Sequence, residues 1–158
     1  MPVTWINSYT AYGQPAEIVE ETPGAGEAGI RTTVLTYDAA GRQTSKKITG
    51  GGQAVPKVET VYSSTLGLPE TQHFVCETGE CGVFDTQATK TTYDALGRVK
   101  IYEDADGNKG ETTYDQYGRP STVSDGKGSQ TMHYDSITGL PTELTDSAAG
   151  TFTATYDA

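Results

Sequence analysis

The sequence predicts an all-β protein, in which a repeat array of antiparallel β-hairpins forms a wide, twisted, open sheet. Three observations predict this class. A tyrosine-containing turn motif recurs along the chain, the segments between its copies are rich in Thr, Val and Tyr, and no long stretch has the apolar periodicity of a helix. The 19 glycines and 7 prolines among 158 residues also disfavour helices.

The repeated motif is Tyr-Asp-x-x-Gly-Arg, and three copies are complete. Looser copies keep the tyrosine and a glycine shortly after it, and a further copy begins near the end of the sequence. The complete copies are Tyr37–Arg42, Tyr93–Arg98 and Tyr114–Arg119; the looser ones start at Tyr9, Tyr62 and Tyr134, and the last starts at Tyr156. Successive tyrosines lie between 20 residues (Tyr114 to Tyr134) and 31 residues (Tyr62 to Tyr93) apart. This period is typical of hairpin or solenoid arrays.

Each complete motif predicts a tight hairpin turn. An Asp followed three residues later by Gly favours a type I turn that ends in a left-handed Gly, which closes a three-residue loop with a bulge. Asp94 and Arg98 would then face each other across the two strands as an ion pair. The same pairing is predicted for Asp38 with Arg42 and for Asp115 with Arg119. Of the four arginines only Arg31 lies outside this structural role.

One step further from the turn, each repeat tyrosine is predicted to lie opposite the residue that follows the arginine position. Strands exchange no hydrogen bonds at such a pair, so a proline breaks no ladder bond there. Four of the seven prolines occupy this position: Pro15, Pro69, Pro120 and Pro141. Two copies, Tyr62 to Leu68 and Tyr134 to Leu140, have a loop one residue longer and place Leu where Arg would stand.

The opposite ends of the hairpins have their own turn signals, which begin at Asp104, Asp125 and Asp146. In the first half of the chain, residues 22–26 and 50–53 predict longer loops at this end. The predicted strands of the second half are Val99 to Glu103, Glu111 to Tyr114, Ser121 to Ser124, Ser129 to Tyr134, Thr142 to Thr145 and Thr151 to Tyr156. Short antiparallel strands joined in this way form a meander.

The net charge of the chain disfavours two classes of binding partner. A formal charge of −10 and a pI near 4.5 disfavour nucleic acid and anionic membranes, because phosphate contacts need clustered basic residues and Lys46-Lys47 is the only basic doublet. No segment is apolar enough to span a bilayer, and the N-terminus lacks the pattern of a signal peptide. Because Tyr156-Asp157-Ala158 stops within a repeat, we expect the sequence to be part of a longer array.

The two cysteines, Cys76 and Cys81, fall where the third hairpin should have its distal turn. Their spacing suits a disulfide across a hairpin if the protein is exported, and two free thiols are the alternative. A zinc site that borrows His73 is disfavoured, because a structural zinc needs four ligands at tighter spacing.

No catalytic, cofactor or metal residue is predicted, and we do not expect an enzyme. Asp104, Asp106 and Asn108 follow the first ligands of a calcium loop, but Lys109 stands where that loop needs its Gly. Gly50-Gly51-Gly52 lacks the Lys and the helix of a phosphate-binding loop. His133 precedes a repeat tyrosine and is predicted on a strand, facing solvent.

The complete motifs, together with Asp106-Gly107-Asn108 between two of them, resemble the YD repeat of the Rhs family. This family includes bacterial polymorphic toxins, shell components of insecticidal toxin complexes and animal teneurins. The resemblance covers nearly the whole chain and is carried mainly by residues 88–158; Tyr9 and Tyr62 lack both the Asp and the Arg. The family's self-cleaving core segment has no counterpart here.

The resemblance implies stacked hairpins that spiral, in full-length relatives, into a hollow cocoon around a C-terminal toxin or other cargo. Because no linker or shift in composition separates two halves, we expect residues 1–158 to be a single YD-repeat array of about six hairpin units, and the resemblance implies a longer, secreted or surface protein. The expected partners are the rest of the parent shell and its cargo, with no cofactor and no catalysis by the repeats.

Two further expectations concern binding. Trp5, Tyr102 and Tyr117 lie outside the repeated tyrosine positions, so a recognition module for a glycan or a partner protein is the alternative function. Open edge strands recruit partners, so we also expect end-to-end association between copies.

Overall fold

The computed structural model describes residues 2–51, 55–75 and 88–157. These residues form thirteen β-strands and one short 3₁₀ helix, Gly26–Gly29, which the sequence did not predict. All strand pairs are antiparallel, so the predicted all-β hairpin class is confirmed. Cys76 and Cys81 lie outside the described residues, and their pairing stays a prediction.

The chain divides into two compact units, Met1–Ala88 and Thr89–Ala158. The strands of unit 1 are β1 Val3–Tyr9, β2 Pro15–Glu21, β3 Ile30–Tyr37, β4 Gln43–Gly50, β5 Lys57–Tyr62 and β6 Pro69–Val75. The strands of unit 2 are β7 Ala88–Tyr93, which begins at the boundary, β8 Val99–Glu103, β9 Lys109–Tyr114, β10 Pro120–Ser124, β11 Ser129–Tyr134, β12 Pro141–Asp146 and β13 Gly150–Thr153.

Within each unit, every strand pairs with its neighbours in the sequence, so both units are meanders as predicted. Strands β8 and β11 have the predicted bounds. Strand β13 ends at Thr153, three residues before the predicted end at Tyr156.

The predicted register at the tyrosines is confirmed in all six hairpins. Each tyrosine lies opposite the residue that follows the arginine position, whether that residue is Pro, Gln or Val. The pairs are Tyr9–Pro15, Tyr37–Gln43, Tyr62–Pro69, Tyr93–Val99, Tyr114–Pro120 and Tyr134–Pro141. The tyrosine therefore has the same position relative to the turn in each of these hairpins.

A second bulge, which the sequence did not predict, follows directly after this pair. In the β9–β10 hairpin, Tyr114 lies opposite Pro120 and Thr113 lies opposite Thr122, so Ser121 is an extra residue. The Thr113 hydroxyl oxygen is 2.8 Å from that of Ser121 and 2.6 Å from that of Thr122. Because a bulge changes which face the following residues occupy, it sets the face of the whole strand.

The two faces of unit 2 have different side chains. Opposed residues share a face, and the face that carries the repeat tyrosines also carries Met132, Leu144 and Phe152 in register. The other face carries a row of opposed threonines on β10 to β13: Thr122, Thr131, Thr145 and Thr151.

Burial is low throughout the described residues. Val19, at 9% exposure, is their only hydrophobic side chain that counts as buried. A meander with so little core depends on its backbone ladder and on contacts between neighbouring hairpins.

Candidate functional site

The most regular feature of the chain is the edge formed by the turns that follow the repeat tyrosines, which we call the turn edge. In unit 2 it consists of the turns Asp94–Arg98, Asp115–Arg119 and Asp135–Leu140, and in unit 1 of Thr10–Gln14, Asp38–Arg42 and Ser63–Leu68. Alternate turns of a meander lie at the same edge of the sheet, so the members of each set are neighbours.

The turn Asp94–Arg98 has the predicted geometry. The Asp94 N–H donates to the Arg98 carbonyl at 2.9 Å, and the Gly97 N–H donates to the Asp94 carbonyl at 3.0 Å. Gly97 has a φ of +79°, so a left-handed glycine closes the loop as predicted.

 Glycine adopts this left-handed φ without strain. The same two bonds close Asp38–Arg42 and Asp115–Arg119 at 2.9–3.0 Å.

Both oxygens of the turn carboxylate are engaged. Oδ1 of Asp94 accepts the backbone N–H groups of Leu96 and Arg98 at 2.9 and 3.0 Å. Oδ2 lies 2.6 Å from Arg98 Nε and 2.5 Å from Arg98 Nη2. Asp38 and Asp115 make the same contacts with Arg42 and Arg119, so the predicted ion pairs are confirmed.

The arginine of each complete turn also stacks on the repeat tyrosine of the next hairpin. The guanidinium carbon of Arg98 lies 4.2 Å from the ring centroid of Tyr114. The corresponding distances are 4.5 Å for Arg42 over Tyr62 and 4.1 Å for Arg119 over Tyr134. Such a cation–π contact contributes about 0.5–1 kcal/mol at a partly exposed site.

The hydroxyl of the same tyrosine completes the link between hairpins. Tyr114 Oη donates to the carbonyl of Val99, the residue directly after Arg98, at 2.8 Å. The link also forms where no arginine is present, as Tyr37 Oη donates to the Pro15 carbonyl at 2.8 Å and Tyr156 Oη to the Pro141 carbonyl at 2.7 Å. In the same way, Tyr62 Oη donates to the Gln43 carbonyl and Tyr134 Oη to the Pro120 carbonyl, both at 2.8 Å.

The turn glycines give the arginines room to reach the next turn. Arg119 Nη1 donates to the Gly139 carbonyl at 3.1 Å. A Cβ on Gly118 would lie 2.9 Å from Arg98 Nη1. In the first turn a glutamine replaces the arginine, and Gln14 Nε2 donates to the Gly41 carbonyl at 2.8 Å. Hydrogen bonds thus join the turns Thr10–Gln14 and Asp115–Arg119 to the turns that follow them, and Arg98 lies close to the turn that follows its own.

These contacts between hairpins were missed by the sequence analysis, which paired each tyrosine only within its own hairpin. A signal for them is present in the sequence. The strand that starts after Arg98 pairs with the strand that ends at Tyr114, so the meander order alone places the two side chains on adjacent strands.

The hydrogen bonds of the turns lower the pKa values of their carboxyl groups. For Asp38, the backbone N–H and then the side chain of Arg42 hold the pKa below its ordinary value. For Asp94 and Asp115, desolvation is the largest single effect and raises the pKa, but the bonds from Arg98 and Arg119 together outweigh it, so the pKa is lowered. The ionised form is therefore favoured by folding.

Asp104, considered above as a calcium ligand, is used by its own turn. Its Oδ1 accepts the backbone N–H groups of Asp106 and Asn108, and its Oδ2 accepts Asn108 Nδ2, all at 2.9 Å. The distal turn therefore repeats the geometry of the turn edge, with Asn in the place of Arg.

The two histidines lie on strands, each opposite a glutamate. His73 Nε2 is 3.1 Å from Glu59 Oε2, and the other oxygen of Glu59 is 2.6 Å from Lys57 Nζ. His133 is exposed, as predicted, and lies 3.8 Å from Glu143. No group of three or more His, Cys, Asp or Glu side chains arranged to hold a metal occurs among the residues that the structure describes.

No family model and no curated protein matches the chain. Solved structures do match. The crystal structure of TcdB2–TccC3 gives a TM-score of 0.67 at 16% identity, over 98% of this chain and 9% of that chain. The same assembly without its hypervariable C-terminal region gives 0.66 at 16% identity, over 98% and 8%. The Photorhabdus luminescens Tc holotoxin pore gives 0.66 at 16% identity, over 93% and 8%.

At this level of identity the likeness shows the fold alone. The chain has the fold of a segment of these Tc toxin assemblies, and it spans less than a tenth of the length of each matched chain. Within the described residues, no helix is long and apolar enough to cross a membrane.

Acidification is expected to destabilise the turns. Because folding lowers the pKa of the turn aspartates, their contribution to stability is present above the unfolded pKa, near 3.8, and is lost as the pH falls through the folded value. The midpoint of thermal unfolding, measured at constant ionic strength, should fall between about pH 4 and about pH 2. Asp115→Asn should flatten this dependence, and an unchanged slope would contradict the role assigned to the carboxylate.

Two glycines with the same backbone conformation provide a matched test of the contact between turns. Gly118 and Gly107 both have a φ of +84°, so an alanine costs about 1–2 kcal/mol of backbone strain at either position. Only at Gly118 would the new Cβ meet Arg98, whose displacement weakens its stacking on Tyr114. Gly118→Ala should therefore lower the free energy of unfolding by about 0.5–1 kcal/mol more than Gly107→Ala. Equal losses in chemical denaturation would count against the contact.

Proposed function

We propose that the chain is a structural segment of a YD-repeat shell of the Rhs family, which encloses or presents a C-terminal toxin or other cargo and has no catalysis of its own. The observation that carries the proposal is the turn edge, where the same arginine–tyrosine–carbonyl link recurs from hairpin to hairpin. A link that repeats with every hairpin suits a wall that is extended by adding hairpins.

The use of the charged side chains also supports a structural role. The carboxylates of Asp38, Asp94 and Asp115 accept turn N–H groups and guanidinium groups, so they hold the backbone and the neighbouring arginine. The likeness in fold to Tc toxin assemblies also supports a structural role. Secretion or display at a cell surface, and a cargo as partner, belong to this proposal.

The test uses the full-length product of the gene that encodes this chain. If the array is part of an enclosing wall, protease should cut the segment C-terminal to the repeats much more slowly in the full-length protein than when that segment is expressed alone. Mass spectrometry of the fragments over time provides the measurement. Equal rates of cleavage would contradict enclosure.

Exposed aromatic side chains favour the second candidate function, a recognition module for a glycan or a partner protein. Trp5, Tyr102 and Tyr117 are all exposed. Binding on a glycan array or in a pull-down assay that is lost in Tyr102→Ser/Tyr117→Ser, while the proteolysis shows no enclosure, would favour this function over the shell.

A further inference from the structure

The turn edge of unit 2 carries a row of exposed apolar side chains at the tips of its turns. Leu96, Tyr117 and Ile137 each occupy the third residue of successive turns that begin at Asp94, Asp115 and Asp135. Their exposures are 78%, 68% and 92%, which places them among the most exposed large hydrophobic residues of the described chain. We call these three side chains the tip row.

The tip row is held in place by the turns beneath it. The backbone N–H groups of Leu96, Tyr117 and Ile137 donate to Oδ1 of their own turn aspartates at 2.9–3.0 Å. Arg119 fastens two of the turns together through its bond to the Gly139 carbonyl. The apolar tips are therefore presented on an ordered edge, which lowers the entropy cost of binding through them.

The spacing of the tips is regular. Successive turns are two strands apart, and strands lie about 4.8 Å apart, so the tips recur about every 10 Å. A second array with the same period can place its tips in the gaps of the first along the whole row. Such self-complementary contact is the geometry of a two-fold pair.

The charge distribution favours contact at this edge. The chain has a formal charge of −10, so two copies repel each other at most approaches. In the turns that carry Leu96 and Tyr117, the charge of the aspartate is balanced by Arg98 and Arg119. Asp135, in the third turn, has no arginine beside it. The distal turns of the same unit contain four aspartates, Asp104, Asp106, Asp125 and Asp146, and Lys127 as their one basic residue.

We propose that the tip row is an interaction surface that binds the tip row of a second copy of this chain, edge to edge. Three tips bury far less than the roughly 800 Å² per partner of a standard interface. The association between isolated copies is therefore weak, in the high-micromolar to millimolar range, and it strengthens with the number of turns in register. It involves turn tips, unlike the pairing of open edge strands expected from the sequence.

The test is sedimentation equilibrium of the 158-residue chain from about 20 μM to about 1 mM, a range that brackets weak association. The wild-type chain should associate as its concentration rises. Leu96→Ser/Tyr117→Ser/Ile137→Ser should weaken this association at least about tenfold. Circular dichroism should match that of the wild type, because the replaced side chains are exposed. The midpoint of thermal unfolding should fall only slightly, because one exposed cation–π contact is lost, that of Arg119 with the Tyr117 ring at 5.0 Å.

Two control variants separate the tip row from other surfaces. Val61→Ser/Tyr102→Ser removes exposed apolar side chains from strands and should leave the association unchanged. In β13 the Ala154 N–H points to β12, where it donates to Thr142, so the Thr153 N–H points away from β12. Thr153→Pro therefore blocks pairing at the open edge and should also leave the association unchanged.

A chain that stays monomeric over the whole range would overturn the proposal. So would association that survives in the triple tip variant, or that is abolished by Thr153→Pro, since this last result would assign the contact to the strand edge. None of these outcomes bears on enclosure of a cargo, which the proteolysis of the full-length protein tests separately.

Discussion

The structure depends on an arginine that is shared between two hairpins. Arg98 binds the carboxylate of its own turn with Nε and Nη2, and it stacks on the tyrosine of the next hairpin. The same side chain therefore stabilises a local turn and fixes the position of the neighbouring hairpin. Little apolar side chain is buried in the described residues, so contacts of this kind supply the order that a packed core gives to other domains.

The hydrogen bond of the tyrosine forms in hairpins with and without the arginine. The turn that ends at Leu140 has a longer loop and no arginine, yet Tyr156 still donates to the Pro141 carbonyl. Pro15 and Val99 accept the corresponding bond equally well, because the acceptor is a backbone carbonyl and any residue type provides it. The hairpins can therefore differ in sequence and in loop length while the tyrosine makes the same bond to the preceding hairpin.

Much of this fold could be predicted from the sequence because its decisive chemistry is local. The spacing of Asp94 and Gly97 specifies a turn whose hydrogen bonds close within five residues. The register of Tyr114 against Pro120 follows from that turn. The stacking of Arg98 on Tyr114 was not predicted, because it depends on which strands become neighbours in the folded sheet.

The bulge after each tyrosine pair was missed for a different reason. The extra residue is Ser121 in one hairpin and Lys100 in another, so no residue type marks it. Its position is imposed by the strand geometry beyond the turn, and a residue-by-residue interpretation of the sequence has no signal for it. The 3₁₀ helix Gly26–Gly29 likewise lies in a glycine-rich loop with no helical pattern.

The most direct measurement of the central claim is a double-mutant cycle between hairpins. It compares the free energy of unfolding of the wild type with those of Arg98→Ala, Tyr114→Leu and the double variant. The distant control pair is Arg98 with Tyr134, because Tyr134 stacks on Arg119 instead. A shared arginine predicts a coupling of about 0.5–1 kcal/mol for Arg98 with Tyr114 and none beyond error for the control pair. Additive effects for Arg98 and Tyr114, within about 0.3 kcal/mol, would contradict it.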